Sequence, residues 1–163
     1  MKRLLAAMLL VAASPVPCVA ADTSEAAATA AATGFVVEAE AFMRDYANDL
    51  VTGDRAAIVA RYDPAGAYLM GGGLKAFERH PAIEARYAAD SWTRPASFEW
   101  RDLSFDPVGP DAVLVAGLFD WGWGDAPIET WSYTAVLVRR GGTLRIRLEH
   151  EDPTLPPADA AVE

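Results

Sequence analysis

The 163-residue sequence predicts one α+β domain, in which N-terminal helices pack against a curved antiparallel sheet. Two observations lead to this prediction. Apolar residues recur with helical spacing in the first half of the chain, whereas after Pro95 they fall into four short segments separated by Gly- and Pro-containing turns. Helices followed by consecutive strands are typical of domains that place their helices on one face of a sheet.

The first predicted helix begins near Gly34 and carries a single apolar stripe. The members of this stripe recur at intervals of three and four residues and are Phe35, Ala39, Phe42, Tyr46 and Leu50. Gly53 is expected to end the helix, and Asp54 is expected to cap a second, short helix over residues 55–61.

The remaining elements follow from turn residues and apolar runs. Residues 68–70 predict a short strand, and the glycines at 71–73 predict a flexible turn. A third helix is predicted over residues 80–89, because Pro81 is well placed in a first helical turn. The last four segments predict an antiparallel meander with strands over residues 98–105, 112–123, 128–138 and 144–150.

Period-two alternation predicts which side chains of the last two strands face the helices. Three apolar residues of the last strand share one face, and His150 follows them in the same register. These residues are Leu144, Ile146 and Leu148. Glu149 and Glu151 are then expected on the opposite face. In the preceding strand, Trp131 and Tyr133 lie on the more apolar face, so we expect them inside together with His150.

The N-terminal residues follow the plan of a secretory signal peptide. A basic start is followed by an apolar run over residues 4–13 and by small residues, with cleavage expected after Ala20 or Ala21. The run is shorter than the roughly 20 residues that a membrane-spanning helix needs, so we expect a periplasmic or secreted protein without a membrane anchor. Cys18 leaves lipidation as an alternative, although Pro17 fits a lipoprotein signal poorly.

These patterns divide the chain into four parts. We expect a signal peptide over residues 1–21, a linker over 22–33, the folded domain over 34–152 and a disordered tail over 153–163. Cleavage at the expected position would leave no cysteine in the mature protein, and therefore neither a disulfide nor a thiolate site.

Charge and motif content exclude several classes of partner. The formal net charge is -9 and no cluster of Lys and Arg exceeds a pair, so nucleic acid and anionic membrane surfaces are not expected partners. The two histidines, His80 and His150, lie far apart in sequence, so we expect no metal site. The glycines at 71–73 lack the ending of a phosphate-binding loop, and no cofactor is expected.

Several short motifs, in this order, resemble the nuclear transport factor 2-like superfamily, especially its SnoaL-like and ketosteroid isomerase-like members. They lie at residues 46–54, 56–63 and 138–146, and the run Glu149-His150-Glu151-Asp152 stands where many relatives carry a His. The resemblance covers residues 35–152. It implies a cone-shaped cavity between the sheet and the long helix, and frequently a homodimer formed through the sheet. It does not imply one activity, because this fold hosts both enzymes and binding proteins.

Ketosteroid isomerase needs a carboxylate base and an oxyanion hole made from a Tyr and a protonated Asp. By spacing, the resemblance places Tyr46 at the position of that Tyr. It places Met70 at the position of the base and Thr134 at the position of the second acid. Since Met cannot accept a proton, isomerase chemistry with those groups is not expected.

The candidate site residues are those expected near the cavity. Tyr46 and His150 are the candidate catalytic pair, as hydrogen-bond donor and general base, with an ordinary core tyrosine and a structural histidine as the alternatives. The candidate ligand-binding residues are Tyr46, Met70, Trp121, Trp123, Trp131, Tyr133 and His150. Trp121 and Trp123 flank a glycine and would present two indoles to one side, either to a pocket or to a dimer interface.

Three functions remain open on these residues. The first is an accessory or binding protein for a small apolar or aromatic molecule. The second is an enzyme of the isomerase, cyclase or dehydratase type that uses His150 and Tyr46 on an apolar carbonyl compound. The third is a dimeric protein-interaction module that uses an apolar face of the sheet.

Overall fold

The computed structural model describes residues 20–154, with side-chain surroundings from residue 26 onward except at residue 74. Two helices and two strands precede a third helix and four longer strands. The elements are α1 (Ala20–Thr52), α2 (Arg55–Ala60), β1 (Ala67–Gly71), β2 (Leu74–Glu78), α3 (His80–Ala88), β3 (Ser97–Pro107), β4 (Ala112–Gly122), β5 (Glu129–Arg140) and β6 (Thr143–Pro153). The α+β prediction is confirmed.

The predicted divisions near the termini are only partly described. Residues 1–19 and 155–163 lie outside the described residues, so the signal peptide and the disordered tail stay predictions. Residues 22–33, the predicted linker, are helical and form part of α1, and their side chains from residue 26 onward are exposed. At the other end, β6 continues to Pro153.

The six strands form one curved, open sheet with the order β2-β1-β6-β5-β4-β3. The predicted meander is present, since β3, β4, β5 and β6 pair in sequence and antiparallel. β1 joins β6 in parallel, which makes the sheet mixed, and β2 is a strand that the sequence analysis did not predict. This arrangement brings β1 and β2 next to the C-terminal half of β6.

Local chemistry explains where the first two helices end and begin. Gly53 ends α1 with a φ of 74°, a left-handed conformation that glycine adopts without strain. The Asp54 side chain then accepts a hydrogen bond of 3.0 Å from the backbone amide of Ala57, as an N-cap residue does. Both predictions made from the sequence at this junction are confirmed.

The core lies between α1 and the inner face of the sheet. The predicted apolar stripe of α1 is buried, and it packs against Val113 and Val115 of β4 and against Ala135 and Leu137 of β5. The indole of Trp100 on β3 donates a hydrogen bond of 2.8 Å to the backbone oxygen of Met43, which attaches the helix to the edge strand. Phe98, Phe119 and Trp131 extend this core as a row of aromatic rings.

A second anchor joins the α2 region to the end of the sheet. The carboxylate of Asp63, which is almost fully buried, accepts a hydrogen bond of 3.0 Å from Arg140 and one of 2.9 Å from the amide of Ala65. Arg147 approaches the same carboxylate at 3.8 Å and donates to the backbone oxygen of Gly66. These contacts fix the segment that leads into β1.

None of the three described helices covers the outer face of the sheet. Leu114, Val136 and Leu148 pair with one another across β4, β5 and β6 and are each partly exposed. Within residues 20–154, no helix combines the length and the hydropathy that crossing a membrane requires.

Candidate functional site

A pocket of about 430 Å³ lies where β1, β2 and α3 meet the C-terminal half of β6. It is lined by side chains from the inner face of the sheet, from α3 and from the segment after α2. The bordering residues are Tyr62, Leu69, Met70, Gly71, Gly72, Lys75, Ala76, Glu78, Arg86, Tyr87, Trp131, Glu149 and Glu151. The size is within the range of small-molecule sites.

A β-bulge in β6 determines which residues of that strand face the pocket. Leu137 pairs with Ile146, but its neighbour Val136 pairs with Leu148, so Arg147 is an extra residue on the β6 side. The alternation of inward- and outward-facing side chains along β6 is interrupted at this point. Ile146 and Glu149 are therefore both buried, although they are three residues apart.

The bulge makes the prediction for the end of β6 wrong. Glu149 and Glu151, which alternation alone placed outside, border the pocket. His150 lies on the opposite face, where its Nε2 is 3.0 Å from an Asp152 carboxylate oxygen and 39% of its side chain is exposed. His150 is therefore not placed to act as a base in this pocket or to contact a ligand there.

Glu149 is the centre of a buried hydrogen-bond network, with only 6% of the residue exposed. Its Oε1 accepts hydrogen bonds from the hydroxyls of Tyr133 at 3.0 Å and Tyr46 at 3.3 Å. Its Oε2 accepts one from the hydroxyl of Tyr62 at 2.6 Å. The three tyrosines come from β5, α1 and the segment after α2, so the carboxyl group lies where these parts of the fold meet.

A fourth tyrosine extends the network towards α3. The hydroxyl of Tyr87 lies 2.9 Å from that of Tyr62, and the hydroxyls of Tyr62 and Tyr46 are 3.0 Å apart. With Tyr62 donating to Glu149, its oxygen is free to accept from Tyr87. We call Tyr46, Tyr62, Tyr87 and Tyr133 the tyrosine cluster. The protons of Tyr46, Tyr62 and Tyr133 go to Glu149 and that of Tyr87 goes to Tyr62, an arrangement that matches an ionised Glu149 carboxylate, which only accepts hydrogen bonds.

Burial affects the ionisation of the whole network. It raises the pKa of the Glu149 carboxyl, while the tyrosine hydrogen bonds and the positive charge of Arg86 oppose that increase. Burial, followed by the negative charge of Glu149, also raises the pKa of each hydroxyl in the tyrosine cluster. The tyrosines therefore remain protonated donors at neutral pH.

Glu151 is the second carboxyl group of the pocket and differs from Glu149 in its partners. Its side chain forms no hydrogen bond or ion pair with any residue in the range 20–154. Burial, followed by the charge of Glu149, holds the pKa of Glu151 well above its usual range. The two neighbouring carboxyl groups thus have different environments, one supplied with hydrogen-bond donors and one without.

The mouth of the pocket carries one ion pair and a tight glycine turn. Arg86 of α3 pairs with Glu78 of β2. The backbone amide of Gly72 donates to Asp152 at 2.6 Å, which joins the β1–β2 turn to the end of β6. Gly71 has a φ of 145°, and a Cβ there would lie 2.0 Å from the backbone oxygen of Glu151, so only glycine fits this close approach.

The other predicted site residues fall into three groups. Trp131 borders the pocket, and so does Met70, although Met70 pairs with His150 and alternates with the pocket-facing Leu69. Tyr46 and Tyr133 are inside, as predicted, and lie behind Glu149 with their hydroxyls turned towards it.

Trp121 and Trp123 lie away from the pocket, at the opposite edge of the aromatic row. Their rings are 5.1 Å apart, Trp121 packs against Phe98, and Trp123 is 46% exposed. Neither borders the pocket among the described residues. The chain from residue 20 to 154 also contains no group of three or more His, Cys, Asp or Glu residues that could hold a metal ion.

Sequence reasoning missed Tyr62, Tyr87, Arg86 and the two pocket carboxyls as functional candidates. Nothing in the sequence around Tyr62 or Tyr87 indicated that its hydroxyl would join a network centred on a carboxylate. The available signal was the pair of predicted interior tyrosines, Tyr46 and Tyr133, because buried hydroxyls need hydrogen-bond partners.

The fold is shared with known structures, although no family model matches the chain and no curated protein matches its sequence. An NTF-2 like protein of unknown function from Shewanella oneidensis aligns with a TM-score of 0.61 at 14% identity, over 72% of this chain and 98% of that chain. A protein provisionally described as a scytalone dehydratase, from Novosphingobium aromaticivorans, gives a TM-score of 0.63 at 15% identity, over 78% and 89%.

A ketosteroid isomerase-like protein from Erwinia carotovora aligns with a TM-score of 0.57 at 17% identity, over 74% of this chain and 96% of that chain. At such low identities the agreement concerns the arrangement of helices and strands, and not the residues of the pocket. The chain therefore has the nuclear transport factor 2-like fold, as its sequence motifs predicted.

Proposed function

We propose that the protein is a small-molecule enzyme that removes a proton from its substrate with Glu149 as general base, in a reaction of the isomerase or dehydratase type. One observation carries this proposal: a buried carboxylate, held by three tyrosine hydroxyls, borders a pocket of about 430 Å³. The names of the isomerase-like and dehydratase-like proteins with this fold agree with the reaction class.

The hydrogen bonds leave Glu149 one acceptor position for a substrate. An ionised carboxylate has about four lone-pair sites. Oε1 uses two of them for Tyr46 and Tyr133, and Oε2 uses one for Tyr62. The remaining site is on Oε2. The tyrosines are positioning residues in this scheme, because they fix the orientation of the base and do not contact the substrate through their protons.

Glu151 supplies the acid of the pair. Neighbouring titratable groups with different environments commonly divide the roles of acid and base. Because Glu151 lacks donors and stays protonated more readily, its proton is available to an oxygen of the substrate. The proton taken from carbon goes to Glu149, and the developing oxyanion is stabilised by, or receives, the proton of Glu151.

The proposal is tested without knowledge of the natural substrate. The probe is 1-phenylpropan-2-one in D2O, whose acidic CH2 protons exchange when a base removes them, and the exchange is followed by proton NMR. We expect the wild-type protein to accelerate the exchange and Glu149→Gln to lower the acceleration by about 100-fold or more. The matched control is Glu99→Gln, an exposed carboxylate on β3, which should exchange like the wild type.

Exchange at the buffer rate in wild-type protein that demonstrably binds the probe would contradict catalysis. In that case the pocket would serve binding alone, the first of the functions expected from the sequence. The indole of Trp131 at the pocket border favours an aromatic ligand in that reading.

We further propose that the pocket acts outside the cytoplasm, as the N-terminal signal pattern predicts. Intact-mass measurement of the protein from the periplasmic fraction of its own cells should give a chain that begins at residue 21 or 22. Recovery of the uncleaved chain from the cytoplasmic fraction would contradict export.

The protein is also proposed to self-associate through the outer face of the sheet. The support is the strip formed by Leu114, Val136 and Leu148, which crosses three strands and is partly exposed. Partly exposed apolar residues that are contiguous across strands are typical of interfaces.

A further inference from the structure

We propose that the pocket binds small aromatic ammonium ions, with the ammonium group between the carboxyl groups of Glu149 and Glu151 and the aromatic ring against Trp131. This inference rests on the proposed site and names a class of ligand for it. It does not require that catalysis takes place there.

The charged side chains around the pocket favour a positively charged ligand. Among the described residues that border the pocket, three carry carboxyl groups and one carries a guanidinium, that of Arg86, which is already paired with Glu78. Lys75, an exposed residue of β2, also borders the pocket. Neither Glu149 nor Glu151 forms an ion pair with Arg86, Lys75 or any other residue in the range 20–154.

The pocket has more unused hydrogen-bond acceptors than unused donors. The hydroxyls of the tyrosine cluster are directed at Glu149 or at one another, so they have no proton left for a ligand. Glu149 has one free acceptor position, and the Glu151 carboxyl group accepts no hydrogen bond from residues 20–154. A pocket with unused acceptors and few unused donors is suited to a ligand that brings donors, and an ammonium group brings three.

Aromatic rings in the walls of the pocket also favour a cation. Trp131, Tyr62 and Tyr87 border it, and the faces of such rings attract cations. A bound carboxylate at the same position would instead meet the two acidic groups Glu149 and Glu151, and Lys75 is the one bordering cation without a described ion-pair partner. The structure thus favours a cation over an anion of the same shape, and the net charge of -9 attracts cations at longer range.

Binding should be coupled to loss of a proton. Burial raises the pKa of Glu151 in the empty pocket, and a bound ammonium ion lowers it because the positive charge stabilises the ionised carboxylate. Any proton that leaves Glu151 on binding passes to the buffer, so charge balances. The titratable and charged groups around this position in the described chain are Tyr46, Tyr62, Lys75, Glu78, Arg86, Tyr87, Tyr133, Glu149 and Glu151.

Isothermal titration calorimetry of the full-length mature protein at pH 7 tests the proposal with three probes: 2-phenylethylamine, 2-phenylethanol and 3-phenylpropanoate. We expect the amine to bind at least about tenfold more tightly than the alcohol, and the carboxylate to bind more weakly than both. Titrations in phosphate and in Tris, which differ in ionisation enthalpy, should show proton release with the amine and none with the alcohol.

The variant Glu151→Gln should lower amine affinity at least about tenfold and abolish proton release, while binding of the alcohol changes little. Glu84→Gln, which removes an exposed carboxylate from α3, is the matched control and should behave as the wild type. Equal affinity of wild-type protein for amine and alcohol would overturn the proposal without reference to any variant.

The two proposals fail separately. Amine binding without exchange of the ketone probe would remove the catalytic proposal and keep the ligand class. Exchange of the ketone probe without selective binding of the amine would keep the catalytic proposal and remove the ligand class.

Discussion

Glu149 illustrates how much of a site depends on one residue's surroundings. Three tyrosines, from α1, β5 and the segment after α2, donate hydrogen bonds to its carboxyl group, and Tyr87 of α3 joins the network through Tyr62. The sequence predicted Tyr46 and Tyr133 as interior residues, because each lies in an apolar stripe. It did not predict their common partner, because a carboxylate is not expected inside unless its hydrogen bonds are known.

Glu151 leads to a prediction about stability and pH. Its pKa is raised above the ordinary 4.5, so the native chain keeps a proton that the unfolded chain has lost. The free energy of unfolding should therefore fall as pH rises above about 4.5, by at most about 1.4 kcal/mol per pH unit for one proton. Glu151→Gln should lose part of this decline, so its stability relative to the wild type should increase between pH 5 and pH 8.

Urea denaturation of both proteins across this range measures the difference directly. Parallel pH dependence of the two proteins would show that Glu151 ionises normally in the folded state. Glu84→Gln is again the control, because its side chain is exposed.

At the scale of elements, the sequence predicted most helices and strands because their signals are local. The apolar stripe of α1, the cap at Asp54 and the glycine turns each lie within a few residues. β2 was missed, since its five residues include Lys75 and Glu78 and follow a run of glycines. The facing of β6 was wrong for a different reason: a bulge at Arg147 depends on pairing with β5, which no pattern within β6 reveals.

The N-cap of α2 gives a prediction at this scale. Asp54→Ala removes the acceptor for the amide of Ala57 and should lower the free energy of unfolding by about 1 kcal/mol. Asp54→Asn keeps an acceptor oxygen and should cost only a fraction of that. Thermal unfolding followed by circular dichroism compares the two variants with the wild type, and equal losses in both would exclude the cap as the cause.

At the scale of the whole molecule, the sheet separates two surfaces with different chemistry. Its inner face holds the core and the pocket, and its outer face holds the apolar strip of Leu114, Val136 and Leu148. The general shape followed from the sequence through the resemblance to a known fold. The polarity of the pocket did not follow from the sequence, because it depends on which side chains of the bulged strand β6 face inwards.

The outer strip predicts an oligomer that a single charge should disrupt. Val136→Arg should convert a wild-type dimer into a monomer, because an unpaired guanidinium in an apolar interface is costly. Size-exclusion chromatography with light scattering measures the mass, and Ser104→Arg on the exposed edge strand β3 is the control. A monomeric wild-type protein at high micromolar concentration would contradict the interface.

The position of Trp131 makes the protein an optical reporter of its own occupancy. Its indole borders the pocket, and its Nε1 donates to Glu129 at 3.3 Å. A ligand against the ring displaces water from one side of the indole, which should move its fluorescence emission to shorter wavelengths. The other four tryptophans, Trp92, Trp100, Trp121 and Trp123, do not border the pocket and should keep their emission unchanged, so the difference between the wild type and Trp131→Phe isolates the signal of binding. A fluorescence titration can therefore screen ligands with unlabelled protein, before any reaction is known.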